Sequence, residues 1–247
     1  MIVTGAGNGI GRATAKLCGA RGAAVAVVDR DGRAASIVAD EVLAAGSKAV
    51  AIAADVSDER AVDALVAQAA AELGTLYGIV NNAGIIVTKS LVDTELRDWE
   101  STMAVNARGA FLGCRAAVRE FLRTGTKGAI VNVGSISATV GLAGQPAYCA
   151  SKGAVLQLSR QIAVDYGPHG IRCNVVSPGS VATAVLDDYL SGQADPDHAR
   201  NDITAAHPLA RLAEPSEIAT AIGFALSPEA SFVTGANIAV DGGYTAR

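Results

Sequence analysis

The stretch Ile2-Val3-Thr4-Gly5-Ala6-Gly7-Asn8-Gly9-Ile10-Gly11 decides the fold. A short apolar run leads straight into alternating glycines, and a helical pattern follows. Glycines let a backbone come close to a pyrophosphate, and the next helix offers its N–H groups and the positive end of its dipole. A tight strand-to-helix turn would look similar, so the flanking elements matter: a strand before it and a helix after it favour phosphate binding. No Gly-Lys-Ser/Thr follows, which excludes a P-loop.

Working outward, short apolar runs alternate with helical patterns to the end of the chain. Residues 2–4, 24–28, 49–53, 78–80, 129–133, 171–176 and 237–240 read as strands rich in Val, Ile and Ala. They lack polar alternation, as strands buried on both faces do. A helix follows Ser57, read as its N-cap, with Val62, Leu65, Val66, Ala69 and Leu73 on one face. Another starts near Ala147 and stops at Gly167–Pro168, and a third opens at Glu214–Pro215. The alternation predicts an α/β, Rossmann-type doubly wound parallel sheet of about seven strands with helices on both faces. With no repeat, linker or composition break, residues 1–247 read as a single cofactor-binding domain. Ligands of such sheets sit beyond the carboxyl ends of the strands, so the loops 5–11, 29–31, 54–56, 81–88, 134–146 and 177–207 hold the candidate residues.

Composition narrows the function. Hydrophobic residues make up 50% and charged residues 18%, and the net charge of −4 gives no footprint for nucleic acid. Cys18, Cys114, Cys149 and Cys173 form no CxxC pair and read as free thiols of a reducing cytosol. His169, His198 and His207 are scattered, so no metal site is expected. Residues 128–151 carry no charge, but Asn132, Ser135, Ser137, Gln145, Pro146 and three glycines make them a strand, a loop and a helix start. No membrane span and no signal peptide are expected, and the location is read as cytoplasmic.

Strand two ends in Val27-Val28-Asp29, eighteen residues after Gly11, where an acid bonds the adenosine ribose hydroxyls. That carboxylate would repel a 2′-phosphate, favouring NAD over NADP, although the neighbouring Arg30 could hold one. Asp55 and Val56 would flank the adenine, and Asp55 reads equally as a helix-capping acid. Tyr148-Cys149-Ala150-Ser151-Lys152 sets a phenol and an amine one helical turn apart. An ammonium there would lower the phenol pKa toward working pH and give a general base. Ser135, thirteen residues earlier, could hold a substrate oxygen; Ser137 is its rival.

These motifs together resemble the short-chain dehydrogenase/reductase family, in the branch with chains near this length. The resemblance covers nearly the whole chain: Thr4–Gly11 resembles TGxxxGxG, Asn81-Asn82-Ala83-Gly84 matches NNAG, and Ser135, Tyr148 and Lys152 match the Ser and YxxxK pattern. Asn106 stands at the family's helix Asn. Pro178-Gly179 with Thr183 resembles PGxxxT, and Phe232–Gly235 with Asp241-Gly242-Gly243 resembles the family ending. The resemblance implies that Tyr148 exchanges the alcohol proton, Lys152 bonds the nicotinamide ribose, Ser135 orients the substrate oxygen and Asn106 holds a relay water. It implies a cofactor bed of Gly5, Asn8, Gly9, Ile10, Gly11, Asp29, Arg30, Asp55, Val56, Asn82, Ala83, Gly84, Tyr148, Lys152, Pro178, Gly179, Val181 and Thr183. It also implies a homotetramer pairing helices around 100–122 and 148–166 and the C-terminal strand region, a substrate lid over 184–207, and a native start upstream of Met1.

The lid holds Asp187, Asp188, Asp195, Asp197 and Asp202 against Arg200 alone as a fixed cation. Ile86, Val140, Gln145, Val185, Leu186 and Tyr189 are pocket candidates, suiting an uncharged alcohol or ketone. The leading expectation is an NAD-dependent oxidoreductase of secondary alcohols and ketones. The alternatives are an NADPH-dependent carbonyl reductase, such as one acting on 3-oxoacyl thioesters, and a non-enzymatic NAD-binding regulatory protein. Cys149 and Cys173 are expected to be small core-filling thiols.

Overall fold

In the computed structural model, which describes residues 1–246, every expected strand forms and all seven pair in parallel in one sheet. The strands are β1 (Ile2–Thr4), β2 (Val25–Asp29), β3 (Ala49–Ala53), β4 (Gly78–Asn81), β5 (Ala129–Val133), β6 (Arg172–Pro178) and β7 (Asn237–Val240). Their order is β3-β2-β1-β4-β5-β6-β7, so the order reverses direction beside β1. That switch point, between β1 and β4, opens a crevice at the carboxyl edge of the sheet.

Alternate strand residues feed two cores. Ile2, Ala26, Val28, Ile79 and Ile130 pack on one face with α3 (Glu59–Leu73) and the helix that carries Phe121. Val3, Val25, Val27, Val80 and Val131 pack on the other with α1 (Gly9–Ala20), α2 (Gly32–Ala44) and residues Ile218 and Ile222 of a C-terminal helix. Because both faces are covered, no strand in the centre shows polar alternation. Deep polar groups are paired: Asn81 Nδ2 donates to Asn132 Oδ1 at 2.8 Å, and Asn132 Nδ2 donates to Ser159 Oγ at 2.8 Å.

The remaining helices are α4 (Leu96–Thr102), α5 (Gly109–Thr124), α6 (Pro146–Tyr166), α7 (Ala184–Ser191), α8 (Pro196–Ala205) and α9 (Pro215–Leu226). Helices α4 and α5 are joined by a π-helical turn over Met103–Arg108, which no feature of the sequence foretold. The N-cap of α3 is Asp58, not Ser57. Asp58 accepts from the N–H groups of Arg60 and Ala61, whereas the Ser57 hydroxyl donates to Asp55 at 2.7 Å. A carboxylate is the stronger acceptor, and the extended backbone at Asp58 aims it at the first turn. The uncharged stretch 128–151 becomes β5, a 3-10 turn and the start of α6, and among the described residues no helix is long and apolar enough to cross a membrane.

Candidate active site

The glycine-rich turn forms a cradle that leaves no room for side chains. A Cβ on Gly11 would lie 2.2 Å from the Gly5 carbonyl oxygen, and one on Gly7 would lie 2.7 Å from Ala34 Cβ. Gly5 adopts φ +59° and Gly9 φ +50°, a region open to glycine. Asn8 caps α1 in an extended conformation but gives it no side-chain hydrogen bond, and Ile10 follows in the first turn. The first-turn N–H groups thus lack a protein side-chain cap, which suits a bound pyrophosphate.

The loop after β4 is stitched to this cradle. Thr4 Oγ1 accepts from Asn82 N at 3.0 Å and Ala83 N at 3.2 Å, and Asn82 Nδ2 donates to the Thr4 and Gly5 carbonyls. Thr4 and Asn82 therefore fix two loops from strands seventy-odd residues apart. Asp29 ends β2 and accepts from Gly7 N at 2.9 Å and Asp31 N at 3.0 Å, which holds its carboxylate at the rim of the cradle. Arg30 beside it is exposed. Asp55 accepts from both the N–H and the hydroxyl of Ser57, and these bonds hold its pKa down. Val56 packs where a Cβ on Gly109 would come within 2.9 Å.

The loop after β6 closes over the cradle from the other side. Pro178 ends β6, Val181 bridges to Ala213, and the Thr183 methyl would lie 3.3 Å from a Cβ on Gly9. Gly179 abuts His207, whose Nε2 would meet a Cβ there at 2.6 Å. His207 is buried, accepts from Ser180 N at 3.0 Å and bonds the Ile203 carbonyl through Nδ1 at 2.8 Å. It pins the end of the 184–207 segment to the loop after β6. No motif foretells this role, because the partners are 27 and 4 residues away.

Ser135, Tyr148 and Lys152 come together at the carboxyl end of β5. Ser135 is buried, and its hydroxyl lies 2.9 Å from the Ser137 hydroxyl, so the two rival serines form a pair. The Ser135 hydroxyl also favours the ionised form of the Tyr148 phenol. Lys152 Nζ lies 5.5 Å from the Tyr148 ring centroid and donates to the Val133 carbonyl at 2.8 Å. The expectation that the amine lowers the phenol pKa is not met by the protein's own groups. Burial raises the Tyr148 pKa, and the Ser135 hydroxyl offsets this only in part. Burial also lowers the Lys152 pKa to about 8. An amine near neutrality is a weaker electrostatic lever than a fixed ammonium.

Asn106 lies in the π-helical turn and is buried. Its amide accepts from Ile85 N at 2.8 Å and donates to the Ile85 carbonyl and to Ser151 Oγ. The side chain is thus committed to anchoring the loop after β4 against α6. Ser151, inside the Tyr–Lys turn, is a supporting residue that its position could have flagged. Gly84 fits between: a Cβ there would approach Asn106 Oδ1 at 3.3 Å and Lys152 Nζ at 3.7 Å.

Of the pocket candidates, Val185 is exposed, and Ile86, Val140, Gln145, Leu186 and Tyr189 are half-buried or more open. In the 184–207 segment Arg200 pairs with Asp187 at 3.0 Å and Asp195 caps α8. Cys173 is fully buried as expected, whereas Cys149 is only half-buried, because its helix position turns away from the core.

The family model described as "Enoyl-(Acyl carrier protein) reductase" matches residues 5–245. The chain belongs to the short-chain dehydrogenase/reductase family. It is a nicotinamide-dependent oxidoreductase of that family. Among similar proteins, the "Inactive 2-(S)-hydroxypropyl-CoM dehydrogenase 2" of Xanthobacter autotrophicus is 47% identical over 91% of this chain and 96% of its own. The 2,5-dichloro-2,5-cyclohexadiene-1,4-diol dehydrogenase of Sphingobium indicum is 42% identical over 100% and 96%. A crystal structure of a short-chain type dehydrogenase/reductase from Mycobacterium marinum superposes with TM-score 0.92 at 34% identity, covering 100% of this chain and 95% of that one.

Proposed function

We propose that the protein oxidises secondary alcohols with NAD, and reduces the matching ketones in reverse, as one cofactor-binding domain with residues 184–207 as its lid. The observation that carries the reading is the convergence of Ser135, Tyr148 and Lys152 at the end of β5, across the switch-point crevice from the bare N-terminus of α1.

The cradle of Gly5, Asn8, Gly9, Ile10 and Gly11 would hold the pyrophosphate, with Asp29 on the adenosine ribose and Lys152 on the nicotinamide ribose. Asp55 and Val56 would border the adenine, while Asn82, Ala83, Gly84, Pro178, Gly179, Val181 and Thr183 would line the rest of the bed. When bound, the nicotinamide supplies or accepts the hydride. Ser135 donates its hydroxyl to the substrate oxygen. Tyr148, as phenolate, takes the carbinol proton during oxidation and, as phenol, returns it during reduction. Because burial holds the Tyr148 pKa up, oxidation should gain with rising pH and reduction with falling pH. Asn106, with its amide committed to Ile85 and Ser151, positions the loop beside Lys152.

Asp29 supports NAD: its carboxylate is fixed at the cradle rim by two backbone N–H groups and would face a 2′-phosphate with like charge. The exposed Arg30 next to it favours the second reading, an NADPH-dependent carbonyl reductase. The intact Ser135, Tyr148 and Lys152 set argues for catalysis over mere NAD binding. The relative named a diol dehydrogenase, and the absence of an unpaired arginine in the described lid, support a neutral substrate. A homotetramer in the cytoplasm is the assembly and location we infer from the family. A panel of neutral secondary alcohols and ketones, read at the absorbance of reduced nicotinamide with NAD and NADP in parallel, tests all this. Turnover with NAD and neutral alcohols is expected; turnover confined to NADP and acyl thioesters would select the second reading.

A further inference from the structure

Two serines meet just past the end of β5, and the mechanism above uses only one of them. Ser137 is buried in the 3-10 turn Ile136–Ala138, which follows Ser135 directly. The turn is held in place: Ala138 N donates to the Ser135 carbonyl at 3.0 Å, and the Ile136 side chain is buried. Gly134 before it packs so closely on β6 that a Cβ there would meet Ser177 Oγ and Val175 Cγ1 at 2.6 Å. Ser137 N donates to Ser135 Oγ at 3.1 Å, and the two hydroxyl oxygens lie 2.9 Å apart. Among the described residues the Ser137 hydroxyl has no other hydrogen-bond partner.

Proton accounting gives the pair a direction. A serine hydroxyl has one proton to donate and two lone pairs that accept. If Ser135 donated to Ser137, the buried Ser137 proton would have no acceptor, and an unpaired buried donor costs about 1–3 kcal/mol. If Ser137 donates instead, its N–H and O–H fill both lone pairs of Ser135 Oγ. The one direction then left on that oxygen is its own proton. The ionised Tyr148 phenol is favoured by the Ser135 hydroxyl, which is the effect of a donor.

We propose that Ser137 is a positioning residue: its N–H and hydroxyl occupy the acceptor side of Ser135 Oγ, so that the Ser135 proton is presented to the substrate oxygen. This rests on the alcohol-oxidation reading above and adds a residue to its machinery. The hydroxyl does two things that the backbone N–H alone cannot. It closes the second lone pair, which stops the Ser135 proton from turning away. It also polarises the Ser135 O–H, because a hydroxyl that accepts a hydrogen bond becomes a stronger donor. Ser137 acts through Ser135 and touches neither substrate nor cofactor in this scheme.

The test is a double-mutant cycle on Ser135 and Ser137, with butane-2,3-diol and cyclohexanol as substrates and NAD as oxidant. Ser135→Ala should lower kcat by about 10²-fold, as the loss of a donor to the reacting oxygen does. Ser137→Ala should lower it by about three- to tenfold, the worth of one hydrogen bond between neutral groups, with the cofactor KM unchanged and the acid limb of the kcat profile moved to higher pH. In the Ser135→Ala background, Ser137→Ala should cost nothing further, whereas a merely structural role would repeat its loss there. Ser137→Thr keeps the hydroxyl and should restore turnover; Ser137→Val has nearly the same shape without it and should not, which separates the hydrogen bond from folding. Wild-type kcat in Ser137→Ala, an additive loss in the double variant, or equal rates in Ser137→Thr and Ser137→Val would each overturn the proposal while alcohol oxidation stands. If neither alcohol is turned over with NAD or NADP, the alcohol-oxidation reading fails and this proposal falls with it.

Discussion

Helices α1 and α3 leave the carboxyl edge of the same sheet, two strands apart, yet they begin differently. Helix α3 opens on Asp58, whose carboxylate accepts from two first-turn N–H groups, with Glu59 adding negative charge. Helix α1 opens on Asn8 with no side-chain cap and no acid in its first turn. The same division runs through the fold. Helices α2 and α8 are capped by Asp31 and Asp195, and α4 and α9 draw an acid from their own first turn back to the cap N–H. Helices α1, α6 and α7, which border the crevice, have no side-chain cap bond. Self-sufficient helix ends stabilise the scaffold, and unsatisfied ones are left for ligand.

The largest effect tests what the α6 end does with its freedom. Tyr148→Phe removes the proton carrier and leaves the ring in place, so turnover should fall by about 10³-fold while cofactor still binds. Steady-state rates and quenching of protein fluorescence by reduced nicotinamide separate the two. Equal rates in wild type and variant would refute the role of the phenol.

The α1 end should fail in the opposite way. In Gly11→Ala the new Cβ meets backbone at 2.2 Å and the Asn82 amide at 2.6 Å, neither of which can move without opening the cradle. The expected result is lost cofactor affinity together with about 1–3 kcal/mol of stability. A variant that bound cofactor normally would mean that the cradle is not the pyrophosphate bed.

A smaller effect belongs to the α6 amine, and pH exposes it. Lys152 is 5% exposed, and burial lowers its pKa to about 8 from the ordinary lysine range. Between that value and about 10.4 the unfolded chain binds the proton that the folded chain has released. Stability from this group therefore rises with pH across the window, and below it the full cost of burying the ammonium applies. Without added cofactor, the unfolding free energy of wild type minus Lys152→Met should climb by up to about 3 kcal/mol from pH 7.5 to 10.5. A flat difference would place the amine in water.

How much of this could be read beforehand follows from the range of each interaction. The strands were legible because burial on both faces writes itself into every residue, and the observed ends moved by one or two positions, as at Asp29 and Pro178. Thr4, Asn82 and Lys152 stood in motifs whose spacing was visible. The phenol pKa went the other way because burial, a property of the whole fold, raises it, and the group that opposes burial is Ser135, thirteen residues away. The π-helical turn around Asn106 and the His207 link to Ser180 have no local signature, since each is set by segments distant in the chain.

The smallest effect bears on the capped member of the pair. Ser57 and Asp58 are both capping residue types, and only the backbone direction decides between them; Asp58 bonds Arg60 N at 2.8 Å and Ala61 N at 3.0 Å. Asp58→Ala should cost about 1 kcal/mol in denaturant unfolding and leave cofactor affinity and turnover near wild type, because α3 follows β3 at the sheet edge, away from Ser135, Tyr148 and Lys152. Asn8→Ala makes the counterpart in α1, where no side-chain cap exists to lose; there stability should hold and any change should fall on cofactor affinity. If the two variants behaved alike, the division between self-capped and ligand-ready helix ends would not describe this protein.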